Sequence, residues 1–215
     1  MQFSPRTLLR AALLPLLCLL PGCALFEEGA GLYDFRTVVV DPGHGGYDNG
    51  ARACRGLPEK MLTLDVARRL RPLLLAKGYR VVMTRDTDVF IPLGGRTAVS
   101  NARPDSIFVS IHCNDSSRRS ASGVEAYYYA PRSARLAGAI LRQIAPCYGS
   151  HSRGVKFAHY YVLHHNTRPA TLLELGFLSN AGENARLQDP KVRQVIAERI
   201  ASGIAGLQGG HAPRP

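Results

Sequence analysis

The segment Val38-Val39-Val40-Asp41-Pro42-Gly43-His44-Gly45-Gly46 joins three valines to a Pro/Gly cluster, with His44 inside the cluster. A β-branched run reads as a buried strand, and the cluster after it reads as a turn. His44 therefore stands just past the carboxyl end of a strand, where ligand sites of open α/β sheets gather. The flanking glycines leave its ring uncrowded, so a metal or a substrate could approach. Two further segments have the same grammar. Ile107-Phe108-Val109-Ser110-Ile111 runs into His112-Cys113-Asn114-Asp115, and Ala170-Thr171-Leu172-Leu173 runs into Glu174-Leu175-Gly176.

Working outward from these strand ends, Pro58 opens a helix to about Lys77, with Val66, Leu70, Leu73 and Leu74 at helical spacing and Gly78 as its C-cap. Tyr79–Met83 reads as a strand and Leu93–Ala102 as a helix. Gly123–Tyr129 reads as a strand and Ala134–Cys147 as a helix. Tyr160–Leu163 reads as a short strand, and a helix from about Pro190 to Leu207 closes the pattern. Strands alternating with helices predict a single α/β domain, a twisted and mainly parallel sheet with helices on both faces.

Two histidines and a carboxylate at three strand ends are the ingredients of a zinc hydrolase. A catalytic zinc takes three protein ligands and keeps one position for water. His44 and His112 supply two ligands, and the third must be a carboxylate or another histidine. Glu59 is the best candidate, in the first turn of the helix that follows the His44 loop. A carboxylate there also suits the helix dipole, and spacing alone leaves the two roles even. Glu174 is enclosed by apolar residues, so it must be paired, ligated or catalytic. Near an activated water it would act as a general base, and its plainer role is as partner of a ligand histidine. Cys113 alternates with His112 and points to the opposite face, as a small core residue. His151, His159, His164, His165 and His211 lie in polar or aromatic stretches and suit surface or hydrogen-bonding roles.

Residues 1–22 read as a leader. Arg6 and Arg10 precede an apolar run, Ala11 to Leu20, that is too short to span a bilayer. Leu20-Pro21-Gly22-Cys23 resembles the lipobox of bacterial lipoproteins, which makes Cys23 the lipidated residue; an ordinary secretory leader is the alternative. Residues 23–35 then form the lipidated cysteine and a short linker, 36–208 the catalytic domain and 209–215 a flexible tail. The formal charge is +11, and without the two leader arginines it is +9, which suits an anionic partner. Nucleic acid is rarely met outside the cell, whereas the peptide carboxylates of cell-wall material are. Cys54, Cys113 and Cys147 allow at most one disulfide within the domain.

The chain resembles the zinc-dependent N-acetylmuramoyl-L-alanine amidases of the type-3 cell-wall family. The resemblance is carried, in family order, by Val40–Gly46, Gly56–Lys60, Thr84-Arg85-Asp86-Thr87-Asp88, Ser110–Asn114, Arg153-Gly154-Val155-Lys156 and Glu174-Leu175-Gly176-Phe177-Leu178-Ser179-Asn180. It implies Zn2+ held by His44, Glu59 and His112, with Glu174 as the catalytic glutamate. It implies cleavage of the amide between N-acetylmuramic acid and L-alanine of the stem peptide. Members controlled by activator proteins insert a blocking segment where this chain has only Ala130-Pro131-Arg132-Ser133, so no autoinhibitory insertion is expected. The expected partners are peptidoglycan and, through the lipid, a bacterial membrane facing the periplasm, with no nucleic acid and a monomeric chain.

Two other classes share some of these features. A zinc carboxypeptidase on stem peptides usually pairs its ligands as His-x-x-Glu, whereas fourteen residues separate His44 from Glu59. A non-catalytic wall-binding lipoprotein would lose the zinc ligands or Glu174, and all four residues are present.

Overall fold

The computed structural model describes residues 34–208 apart from residue 148. The leader, Cys23, most of the linker, the tail and His211 lie outside the described residues. Six strands form one sheet: β1 (Thr37–Pro42), β2 (Arg80–Met83), β3 (Ser106–Asn114), β4 (Val124–Tyr128), β5 (Ser152–Phe157) and β6 (Ala170–Phe177). Their order is β2-β1-β3-β6-β4-β5. The first four in that order run parallel, β4 runs antiparallel to β6, and β5 runs parallel to β4. The sheet is thus mainly parallel with one reversal, and helices cover both faces.

Side-chain alternation separates the faces. On one, Val38, Val40, Ile107, Val109, Ile111, Cys113, Leu173 and Leu175 are buried in the larger core. Helices α1 (Glu59–Ala76), α3 (Ala134–Ile144) and α6 (Pro190–Ala205) pack over that side. On the other, Val39, Phe108, Ala170 and Leu172 form a smaller core with Val162 and Leu163. Helices α2 (Leu93–Asn101) and α4 (Tyr161–His164) cover it. Toward the carboxyl end of β3 this second face turns polar, and the functional residues lie there.

Tyr160–Leu163 is not a strand. Tyr160 is extended and caps the single turn of α4, whose Val162 and Leu163 are buried. A run of four apolar residues is equally compatible with either state, and here covering the sheet decides. Two elements lacked a hydrophobic signal. Strand β5 is an edge whose two apolar residues, Val155 and Phe157, are themselves exposed. Helix α5 (Ala181–Gln188) is polar and is held by its cap: the Asn180 side chain accepts from Gly182 N and Glu183 N. Asn180 followed three residues later by Glu183 is a helix-start signal in the sequence. The helix from Ala134 ends at Ile144, before the expected Cys147.

Cys113 faces the apolar core, as its alternation with His112 requires, and Cys54, Cys113 and Cys147 are free thiols. Between β4 and α3 the chain makes only a single 3-10 turn, Pro131–Ser133. Among the described residues no helix is long and apolar enough to cross a membrane.

Candidate metal centre

Three elements bring His44, Glu59 and His112 together. His44 comes from the β1–α1 loop, Glu59 is the first residue of α1, and His112 lies near the end of β3. One ligand atom from each lies within 4.8 Å of the others. Glu59 Oε1 is the shared point, 3.1 Å from His44 Nε2 and 3.0 Å from His112 Nδ1. The two imidazole rings meet edge to face, 4.9 Å apart.

Glu59 is buried and its remaining acceptor sites are taken by backbone. Oε1 also accepts from Cys113 N at 2.9 Å, and Oε2 accepts from Ala51 N at 2.7 Å. Burial pushes its pKa up, but hydrogen bonds from His112 and His44 outweigh this and hold it well below the usual carboxylate range. His44 is set by a second carboxylate, since its Nδ1 lies 2.8 Å from Asp48 Oδ2. Burial lowers the pKa of His44, while Glu59 and Asp48 raise it, with a net upward shift. A histidine whose other nitrogen binds a carboxylate has a fixed tautomer, the arrangement common in metal ligands.

The loop around His44 is shaped by space and by two buried arginines. A Cβ at Gly43 would lie 2.3 Å from His112 Cε1, and one at Gly50 would lie 2.5 Å from Glu59 Oε2. His44 itself adopts φ +62°, a left-handed conformation that costs a non-glycine residue energy. Arg96, on α2, donates to Pro42 O at 2.7 Å and His44 O at 2.8 Å. Arg85 donates to Pro42 O at 3.0 Å and Gly43 O at 2.7 Å. Three consecutive loop carbonyls are thereby clamped. Asp41, fully buried, accepts from Arg96, Thr84 and Ser110 at 2.9, 2.6 and 2.7 Å.

Glu174 stands beside His112 in the register of β3 and β6, and opposite Glu125 in that of β4 and β6. Its Oε2 is buried without a hydrogen-bond partner. Burial, then the charges of Glu59 and Glu125, push its pKa well up. Glu125 has the opposite environment. Its buried carboxylate receives Lys156 Nζ at 2.7 Å together with Arg153 Nε and Tyr127 OH. Burial raises the Glu125 pKa, but these hydrogen bonds prevail and lower it.

All four residues singled out from the sequence therefore occupy one site. Reading the chain alone missed Asp48, Glu125 and the Arg85–Arg96–Asp41 network. Arg85 lay inside a segment carrying the family resemblance, but no local pattern gave it a role. His159, His164 and His165 are exposed and join an aromatic cluster around Tyr129, remote in the sheet from the three ligands.

The class these features define is an α/β domain with a His–Glu–His group that could hold a metal at its strand ends, beside a buried carboxylate. The chain belongs to the N-acetylmuramoyl-L-alanine amidase family, type 3, whose model matches residues 38–206. It is 36% identical over 171 residues to the N-acetylmuramoyl-L-alanine amidase LytC of Bacillus subtilis, covering 78% of this chain and 34% of LytC. This chain thus spans about a third of that relative's length. The catalytic domain of CwlV, an N-acetylmuramoyl-L-alanine amidase from Bacillus (Paenibacillus) polymyxa, superposes with TM-score 0.77 at 36% identity, over 80% of this chain and 97% of that one. The N-acetylmuramoyl-L-alanine amidase AmiC2 of Nostoc punctiforme gives TM-score 0.76 at 36% identity, over 83% and 98%.

Proposed function

We propose that this protein is a zinc-dependent peptidoglycan hydrolase that cleaves the amide between N-acetylmuramic acid and L-alanine of the stem peptide. His44, Glu59 and His112 would hold the metal, and Glu174 is the general base. The observation that carries this reading is the shared Glu59 oxygen. With Nδ1 turned to Asp48, His44 directs Nε2 toward a carboxylate oxygen. His112 approaches the same oxygen through Nδ1. Two acceptors facing each other need a proton or a cation between them, and a divalent ion satisfies all three ligands at once. Two imidazoles and one carboxylate match the donor set of catalytic zinc.

Zinc bound there would supply Lewis acidity, polarising the scissile carbonyl and acidifying a water molecule. Glu174 handles the proton. Its buried Oε2, free of any protein donor, accepts the proton of the attacking water and later delivers it to the leaving amine of L-alanine. Burial and two neighbouring carboxylates raise its proton affinity, and a dication held by the three ligands would pull it back toward ionisation. Glu125, by contrast, has its carboxylate held by Lys156 and Arg153, which lower its proton affinity. Arg85 and Arg96 hold the His44 loop in its strained conformation.

Digestion of purified peptidoglycan by the protein, with and without a chelator, tests this reading. Mass spectrometry should find intact stem peptides with a free L-alanine amine and no products after chelation. Release of single D-amino acids would indicate a carboxypeptidase instead. His112→Ala should lose both metal and activity. The short β4–α3 connection supports an open site that needs no activator, so the protein should act alone; activity only with a partner protein would count against this.

The leader features support export and a lipid anchor at Cys23 in the periplasm. Cys23→Ser should move the protein out of the membrane fraction or leave it with an uncleaved leader. Normal processing and distribution would point to a plain secretory leader.

A further inference from the structure

A cavity of about 470 Å³ lies between the 115–122 loop, β5 and the end of β6. Its lining includes Ser117, Ser120, Arg118, His151, Arg153 and Phe177, and no Asp or Glu. Nothing in the amidase chemistry above uses it. Its composition of hydroxyls and guanidinium groups suits an anion with several acceptor oxygens.

Arg153 is already oriented for such a ligand. Its Nε donates to Glu125, its Nη1 donates to Ser122 O at 3.2 Å, and its Cζ lies 5.2 Å from the centre of the Phe177 ring. The guanidinium plane is therefore fixed from three sides, while Nη2 has no hydrogen-bond partner among the described residues. Glu125 does not cancel the local charge, because Lys156 shares the same carboxylate oxygen. At this contact two cations meet one carboxylate. Arg118 is exposed and has no acidic partner among the described residues.

The cavity's position relative to Glu174 selects the ligand. Glu125 faces Glu174 across the β4–β6 pair, and Arg153 reaches it from β5, one strand further out. At about 4.8 Å per strand spacing, β5 lies roughly 10 Å from the strand of Glu174. An extended peptide advances roughly 3.5 Å per residue. For a peptide running from Glu174 toward β5, the second residue lies about 7 Å past the scissile amide, and the Arg153 side chain, which extends inward to Glu125 on β4, spans the remaining few ångströms. In a wall stem peptide that residue is a γ-linked glutamate whose α-carboxylate is free, or its carboxamide, which has the same shape without the charge.

We infer that this cavity is a subsite for the free α-carboxylate of the second stem-peptide residue, bound by Arg118 and Arg153. The inference rests on the amidase reading and assigns the substrate's chemical form. It makes the protein selective for the carboxylate over the carboxamide.

The test uses the full-length protein and two soluble substrates, N-acetylmuramoyl-L-alanyl-γ-D-glutamyl-L-lysine amide and its counterpart with the glutamate α-carboxylate converted to the carboxamide, so that the γ-carboxyl is an amide in both. The carboxylate substrate should have the higher kcat/KM by about tenfold or more, mainly through KM. Arg118→Gln, an exposed change that alters no metal ligand, should bring the ratio toward one, and Arg153→Gln should do the same. Equal kcat/KM in the parent protein, or a ratio unmoved by Arg118→Gln, overturns the subsite. Calorimetric binding of the free peptides L-alanyl-γ-D-glutamyl-L-lysine amide and its α-carboxamide counterpart gives a second readout independent of turnover. If neither substrate is cleaved, digestion of peptidoglycan decides the amidase reading, and the free peptides still decide the subsite. Tighter binding of the carboxylate form, lost in Arg118→Gln, supports the subsite, and equal binding refutes it.

Discussion

Replacing Arg96 by Met removes one of the two arginines that clamp the His44 loop, the one bonded to the His44 carbonyl, while keeping side-chain length. Arg96 and Asp41 form a buried pair, with side chains 4% and 1% exposed. Removing one partner of such a pair leaves an uncompensated charge and typically costs 3–5 kcal/mol. Asp41 keeps its hydrogen bonds from Thr84 and Ser110, which favours the lower end, about 3 kcal/mol. For a domain of this size that lowers Tm by roughly 6–12 °C. A second effect falls on the metal. His44 sits at φ +62°, a conformation that costs on the order of 1–3 kcal/mol and persists only while its surroundings impose it. Freed from the Arg96 bond to its carbonyl, His44 relaxes away from Glu59, and zinc affinity falls about tenfold or more. Thermal melting of the metal-free protein measures the first effect, and titration against a chromophoric chelator measures the second. Adding Asp41→Asn removes the orphaned charge, so it should recover part of the stability without recovering the affinity. If Arg96→Met melts within about 1 °C of the parent and binds zinc equally well, the clamp is not what holds the loop.

Three further outcomes follow from the same geometry. Glu174→Gln should keep its zinc and lose activity by about 100-fold or more, because the shape survives and the proton acceptor does not; near-normal turnover would demote Glu174 to a structural role. Gly43→Ala introduces no left-handed strain but puts a Cβ 2.3 Å from His112 Cε1, so it should displace that ring. Metal analysis should then show zinc affinity reduced about tenfold with the fold retained, and unchanged affinity would contradict the packing. Glu125→Gln should destabilise at neutral pH, and its deficit should shrink on acidification. The folded-state pKa of Glu125 lies below its ordinary 4.5, so its contribution is present above that pH and is lost as pH falls through the folded value. Melting curves of both proteins across the acid range check this, and a constant gap would refute it.

The valine run with its Pro/Gly turn, the alternation around His112 and the apolar flanks of Glu174 are local patterns, and each places a residue at a strand end without tertiary information. They were enough for the sheet class and for a site near His44, His112 and Glu174. Spacing could not choose between helix-dipole and ligand roles for Glu59; the resemblance to a family implied the ligand role, and the folded chain puts its carboxylate between the two rings. The polar α5 and the edge strand β5 escaped a reading based on hydrophobic period because one rests on a cap and the other on an exposed edge. Helix α4 was misread because four apolar residues carry no period. The antiparallel turn of β4 against β6, which sets Glu125 opposite Glu174, depends on how distant strands pair and has no local signature. The same holds for Arg96, which reaches Asp41 and the His44 carbonyl across more than fifty residues of chain. Chemistry that depends on residue type and local period is written along the chain. Chemistry that depends on which distant groups share a low-dielectric space is decided only when the sheet assembles.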